Sequence, residues 1–157
     1  MKKYFAVVAT VIFLVTAQAG MASQPVLNGH LEGVELCAQF QCGVAVFVGQ
    51  FKGQVNNQRA KGGFLVLVNH DALPVSGQQP ANANITGGEW NLRAGVNLFQ
   101  GDVVTGTIVN NGNNTFTIKV VLQIAEGGSG EIVFTGILDH NDFPPTVEGD
   151  LAPPPGL

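Results

Sequence analysis

The sequence predicts an all-β fold: a single antiparallel β-barrel or rolled sandwich of about eight strands, placed after an N-terminal signal peptide. Three observations carry this expectation. Beyond the first twenty residues, apolar side chains recur with period two, and no stretch keeps helical spacing over a useful length. Turn-forming clusters interrupt these runs at short intervals, with no helix-sized segment between them. Glycine also stands midway between two apolar residues at five places: Leu27-Asn28-Gly29-His30-Leu31, Phe51-Lys52-Gly53-Gln54-Val55, Val104-Thr105-Gly106-Thr107-Ile108, Phe134-Thr135-Gly136-Ile137-Leu138 and Val147-Glu148-Gly149-Asp150-Leu151. Residues two apart share one face of a strand, so these glycines point where their apolar neighbours point. A glycine so placed marks a bend, a bulge or a close backbone approach, and a sheet that must close on itself needs such places. The intervals between the five are irregular, which argues against a solenoid of regular repeats.

Residues 1–19 read as a secretory signal peptide. Lys2 and Lys3 give it a positive start, Phe5 to Val15 an apolar stretch, and Ala17-Gln18-Ala19 a small-residue cleavage site. The apolar stretch falls short of the roughly 20 residues of a membrane-spanning helix. No cysteine follows the cleavage site, so the expectation is export to the periplasm or the medium, not as a lipoprotein. The mature chain then has a spacer over 20–25, one all-β domain over 26–151 and a proline-rich tail over 152–157. Cleavage removes two of the seven basic residues, leaving the mature chain more acidic than the formal −4 of the whole. That balance disfavours nucleic acid and anionic membrane surfaces as partners. Charged residues make up 11% of the chain, well below the roughly 25% usual for a soluble domain, so Asn, Gln, Thr and Gly do much of the solvating.

The expected strands lie near 25–36, 43–55, 62–70, 84–93, 102–110, 115–125, 131–139 and 146–151. The clearest is the sixth, where Phe116, Ile118, Val120, Leu122 and Ile124 alternate with Thr115, Thr117, Lys119, Val121 and Gln123. In the third, Phe64 to Val68 is apolar throughout, which suggests a strand covered on both faces or paired centrally. Asn110-Asn111-Gly112-Asn113-Asn114 and Glu126-Gly127-Gly128-Ser129-Gly130 supply residues that accept positive φ and read as hairpin turns. Between the first two strands lie Cys37 and Cys42. In an oxidising compartment an even count at short spacing reads as a disulfide that staples the turn. Redox-active pairs are spaced by two residues at a helix start, which these are not.

Candidate chemistry is sparse. Val68-Asn69-His70-Asp71-Ala72-Leu73-Pro74 aligns without a gap with Leu138-Asp139-His140-Asn141-Asp142-Phe143-Pro144, and each follows a β run. If the two exits converged, His70 and His140 with Asp71, Asp139 and Asp142 could hold a divalent metal such as zinc; no other cofactor is expected. The competing reading is that the Asx side chains fold onto the backbone to end strands before proline. Ser23, Ser76 and Ser129 lack a nucleophile elbow. Glu32, Glu35, Glu89 and Glu148 could supply a glycosidase pair, but their spacing gives no support and they read as solvated surface residues. Trp90, the only tryptophan, alternates cleanly with Leu92 and reads as a core anchor or a pocket wall. Gly88-Glu89-Trp90 looks like the Gly-x-Trp signature of lipocalins and avidins. Those families carry it in the first strand and here it falls in the fourth, so no family is assigned. Three readings follow in order: a non-catalytic barrel binding a small ligand in its mouth, a structural or interaction module partnering an envelope or matrix protein, and a metal-assisted hydrolase using His70 and His140. The balance leans away from an enzyme, and the sequence leaves the oligomeric state open.

Overall fold

Period-two alternation becomes the inside and outside of a closed barrel. The computed structural model describes residues 26–36, 44–71 and 82–155. Eight strands follow one another around the ring: β1 (Leu27–Glu35), β2 (Val44–Val55), β3 (Gln58–His70), β4 (Asn82–Ala94), β5 (Asn97–Asn110), β6 (Thr115–Glu126), β7 (Gly130–Asp139) and β8 (Thr146–Ala152). Every neighbour pair is antiparallel, and β8 returns to pair with β1, so no strand edge is left open. The connections after β2, β4 and β6 gather at one end with the start of β1 and the exit of β8, here termed the turn end. The strand ends at Glu35, His70, Asn110 and Asp139 gather at the opposite, loop end.

Two strands start earlier than the sequence suggests. β3 begins at Gln58 because Asn56 and Asn57, with φ of 50° and 65°, close a two-residue hairpin. Both central residues of such a turn need positive φ, which asparagine tolerates better than most. β5 begins at Asn97 because Gly95, with φ of 64°, turns the chain directly after β4. Its first residues break the alternation, since Leu98 points out into solvent and the register shifts between Gln100 and Gly101. The apolar run in β3 is central in the ring, between β2 and β4, but it is not covered on both faces: Leu65 is 37% exposed on the outer wall.

The turn half of the barrel is filled by large side chains, with Trp90, Phe51, Phe99, Leu92 and Ile132 among the most deeply buried. Trp90 is a core anchor, and its indole Nε1–H donates to the Gln123 carbonyl at 2.9 Å. The inward glycines explain how three phenyl rings are seated against the barrel wall. Gly29 lies directly opposite Gly53, Gly33 opposite Gly49, and Gly136 opposite Gly149. A Cβ at Gly29 or Gly53 would stand 2.6 Å from the Phe51 ring, and one at Gly33 or Gly49 would stand 2.9 or 2.7 Å from the Phe64 ring. Phe134 covers the Gly136–Gly149 pair in the same way, at 2.6 and 2.8 Å. Each facing glycine pair thus yields its side-chain volume to one aromatic ring and lets two backbones approach. The Gly87-Gly88 pair does different work: with φ of +156° and +143°, it accompanies the register shift between Asn69 and His70.

Candidate functional site

The loop half of the barrel is less full. A cavity of about 40 Å³ lies inside it, walled by twelve apolar residues that include Leu31, Phe47, Val68, Ile118, Val120 and Val147. Such a volume could admit water, which needs roughly 10–15 Å³, but the lining side chains give a water no polar partner, so the space favours an apolar occupant. It is much smaller than the roughly 300–1,000 Å³ of pockets for drug-sized molecules. Only a small or slender apolar group fits without the walls moving.

On the loop side of this cavity stands a polar pair, a buried glutamate and a partly buried histidine. Glu35 closes the inward series Leu27, Gly29, Leu31, Gly33, Glu35 on β1, and it is 6% exposed. His140, just beyond β7, sets its Nε2 3.0 Å from the Glu35 carboxylate. Its ring tilts against Phe116 with centroids 5.1 Å apart. Backbone bonds fix both partners, because the Glu35 N–H donates to the Pro145 carbonyl at 2.8 Å and the His140 N–H to the Asn114 carbonyl at 2.9 Å. Phe47, opposite Glu35 in the β1–β2 register, is a cavity wall, which ties the pair to the space below. The reading of Glu35 as a solvated surface glutamate is therefore corrected. The signal was present, since alternation from Leu27 already places residue 35 inside.

No family model, curated protein or solved structure matches this chain. Function must therefore be argued from the site alone.

The duplicated motif places its two histidines at the loop end, but on β3 and just after β7, four strands apart in a ring of eight and so on opposite walls. The His70 Nδ1–H donates to the Asp71 carbonyl at 2.8 Å. The Asp71 carboxylate accepts from Asn84 at 2.8 Å, Asp139 accepts from the backbone and side chain of Asn141 at 2.8 and 2.7 Å, and Asp142 accepts from Thr146 at 3.2 Å. These carboxylates tie down the rim. Among the described residues, no three His, Cys, Asp or Glu side chains gather as a metal-holding group. Cys37 and Cys42 lie outside the described residues.

Proposed function

We propose that this chain is an exported, non-catalytic barrel that binds a small ligand through an apolar group seated in the loop-half cavity, with the ligand's polar part near Glu35 and His140. The carrying observation is the wholly apolar lining of that cavity, next to the paired Glu35 and His140 at the loop end. An apolar recess capped by a few fixed polar groups is the usual character of a small-molecule site. In this reading the leader is removed after Ala19, and Cys37 and Cys42 form a disulfide. The wall pattern supports a water-exposed barrel: the buried inward series is apolar apart from Glu35, while His30, Glu32, Lys52, Lys61 and Lys119 face out among scattered aliphatic residues such as Leu65 and Ile137. A membrane-spanning barrel has the reverse arrangement. Among the described residues no helix is long and apolar enough to cross a membrane.

Native mass spectrometry of protein recovered from its producing cells tests the reading. A retained small molecule that is lost from a Val120→Phe variant, whose added ring fills the cavity, supports it. The same adduct on both proteins would place the ligand elsewhere and overturn it. The second reading, an interaction module of the envelope or matrix, draws on one observation: the segregated charges of the outer wall.

A further inference from the structure

We propose that the outer wall around β1 and β2 is the contact surface for a second copy of this chain, packed as a two-fold symmetric dimer. The inference is independent of what the cavity holds. It rests on the order of residues read across neighbouring strands, β8, β1, β2, β3 and β4. One row runs Asp150, His30, Lys52, Lys61. The next runs Glu148, Glu32, Gln50, Gly63, Arg93. Both pass from acidic on β8 to basic on β3 and β4.

Of the five Lys and Arg among the described residues, four (Lys52, Arg59, Lys61 and Arg93) stand in the basic half. Only Lys52 has an ion-pair partner there, Glu32 at 3.3 Å; Arg59, Lys61 and Arg93 have none among the described residues. On the acidic half, Glu148 and Asp150 pair with the His30 ring at 3.3 and 3.0 Å, with side chains 71% and 82% exposed. Lys52 directly faces Lys61 and Glu32 directly faces Glu148. Like charges opposed across a strand pair destabilise a sheet, so each half retains a repulsion that a partner of opposite sign would relieve.

A two-fold axis running along the strands between β1 and β2 brings the halves together. It sets Asp150 of one copy against Lys61 of the other, and Glu148 against Gly63, where no side chain obstructs and Arg93 is adjacent. Two convex walls diverge away from the axis, and the long side chains on β3, β4 and β8 suit that widening gap. Nearer the loop end the same strands carry aliphatic residues on the outer wall. The row Val34, Val48, Leu65 continues the pattern, and Leu36, bonded through its N–H to the Val46 carbonyl, is 61% exposed. The same axis sets Val34 against Val48 and Leu36 against Val46. An isologous interface requires this kind of self-complementarity, and an apolar centre with a charged flank suits a protein contact. A polyanion would use only the basic half, and the acidic half one strand away would repel it within a Debye length.

Sedimentation velocity of the purified protein in about 50 mM and about 500 mM salt tests the proposal. The wild type is expected to dimerise at low salt and to dissociate more readily at high salt. Lys61→Glu with Arg93→Glu makes both halves acidic; Glu148→Lys with Asp150→Lys makes both basic. Each double variant is expected to weaken self-association by more than about tenfold, since every contact occurs twice in the dimer. Mixing the two variants should restore a one-to-one dimer, a recovery that a misfolded protein would not give. Should either variant lose its β-sheet circular dichroism, Lys61→Gln and Asp150→Asn replace them, each expected to weaken the dimer without charge reversal. A wild type that stays monomeric at low salt overturns the proposal, as does a dimer indifferent to both charge reversals. A monomer held on a heparin column and released by the Lys61→Glu, Arg93→Glu change overturns it in favour of a polyanion.

Discussion

Gly49→Ala places one methyl where the barrel has no room for it. The new Cβ would overlap the Glu32 carbonyl oxygen and stand 2.5 Å from the Gly33 Cα and 2.7 Å from Cε1 of Phe64. Carbon atoms pack comfortably at about 3.5–4.0 Å, so β1 and β2 must separate by the order of 1 Å or Phe64 must leave its seat. Two of the three obstacles are backbone, which cannot rotate away. Overpacking of this kind costs about 1–3 kcal/mol, and here it also disturbs the seat of a buried ring. Against it stands the reduced entropy of the unfolded chain, worth about 0.4–1 kcal/mol for Gly→Ala. The expected net loss is about 1–2 kcal/mol, a fall in Tm of roughly 3–6 °C for a domain of this size. Gly63→Ala is the control on the facing strand, because its Cβ would meet nothing closer than the Gly49 carbonyl oxygen at 3.3 Å on the outer wall. That variant should lie within about 0.5 kcal/mol of wild type. Urea unfolding followed by circular dichroism measures both. A Gly49→Ala protein as stable as wild type, or a Gly63→Ala protein equally damaged, would refute the view that facing glycines seat the phenyl rings.

Three other perturbations read separate parts of the molecule. Trp90→Phe removes the donor to the Gln123 carbonyl and leaves unfilled space in the turn half, with an expected loss of about 2–3 kcal/mol by urea unfolding. Glu35→Ala strips His140 of a buried partner and should cost about 2–4 kcal/mol, whereas Glu35→Gln, which keeps an oxygen acceptor, should cost less than half of that; thermal unfolding ranks the two. If Cys37 and Cys42 are bridged, a thiol reagent added to the denatured, unreduced protein should find no free thiol, and reduction should release two per chain.

Much of the architecture was legible because a half-buried strand writes its two faces into the sequence. The Phe116–Ile124 alternation gave β6 within a residue of its ends, and the hairpin signals around Gly112 and Gly127 separated β5, β6 and β7. The early starts of β3 and β5 were not legible, because Asn56-Asn57 and Gly95-Val96 are turns too short to register as loops. The five spaced glycines indicated inward positions and close approach. That four of them face one another in pairs beneath phenyl rings, Gly29 with Gly53 and Gly136 with Gly149, depends on register, which one strand alone does not contain. The site divided in the same way. His140 stood out by its repeated motif, yet its partner proved to be Glu35, 105 positions away, instead of His70. Chain closure between β8 and β1 brings that pair together, and nothing local to either residue announces it. The charge gradient of the outer wall was equally hidden, since Asp150, His30, Lys52 and Lys61 become one row only when the ring closes.

The most direct test of the proposed binding function is a methyl NMR titration of the protein with xenon, an apolar probe known to enter dry cavities. Shifts confined to methyls of the cavity wall, Leu31, Val68, Ile118, Val120 and Val147 among them, saturating with xenon pressure and absent from Val120→Phe, are the expected result. Saturating shifts elsewhere with these methyls silent, or no saturable shift at all, would contradict a binding space inside the barrel.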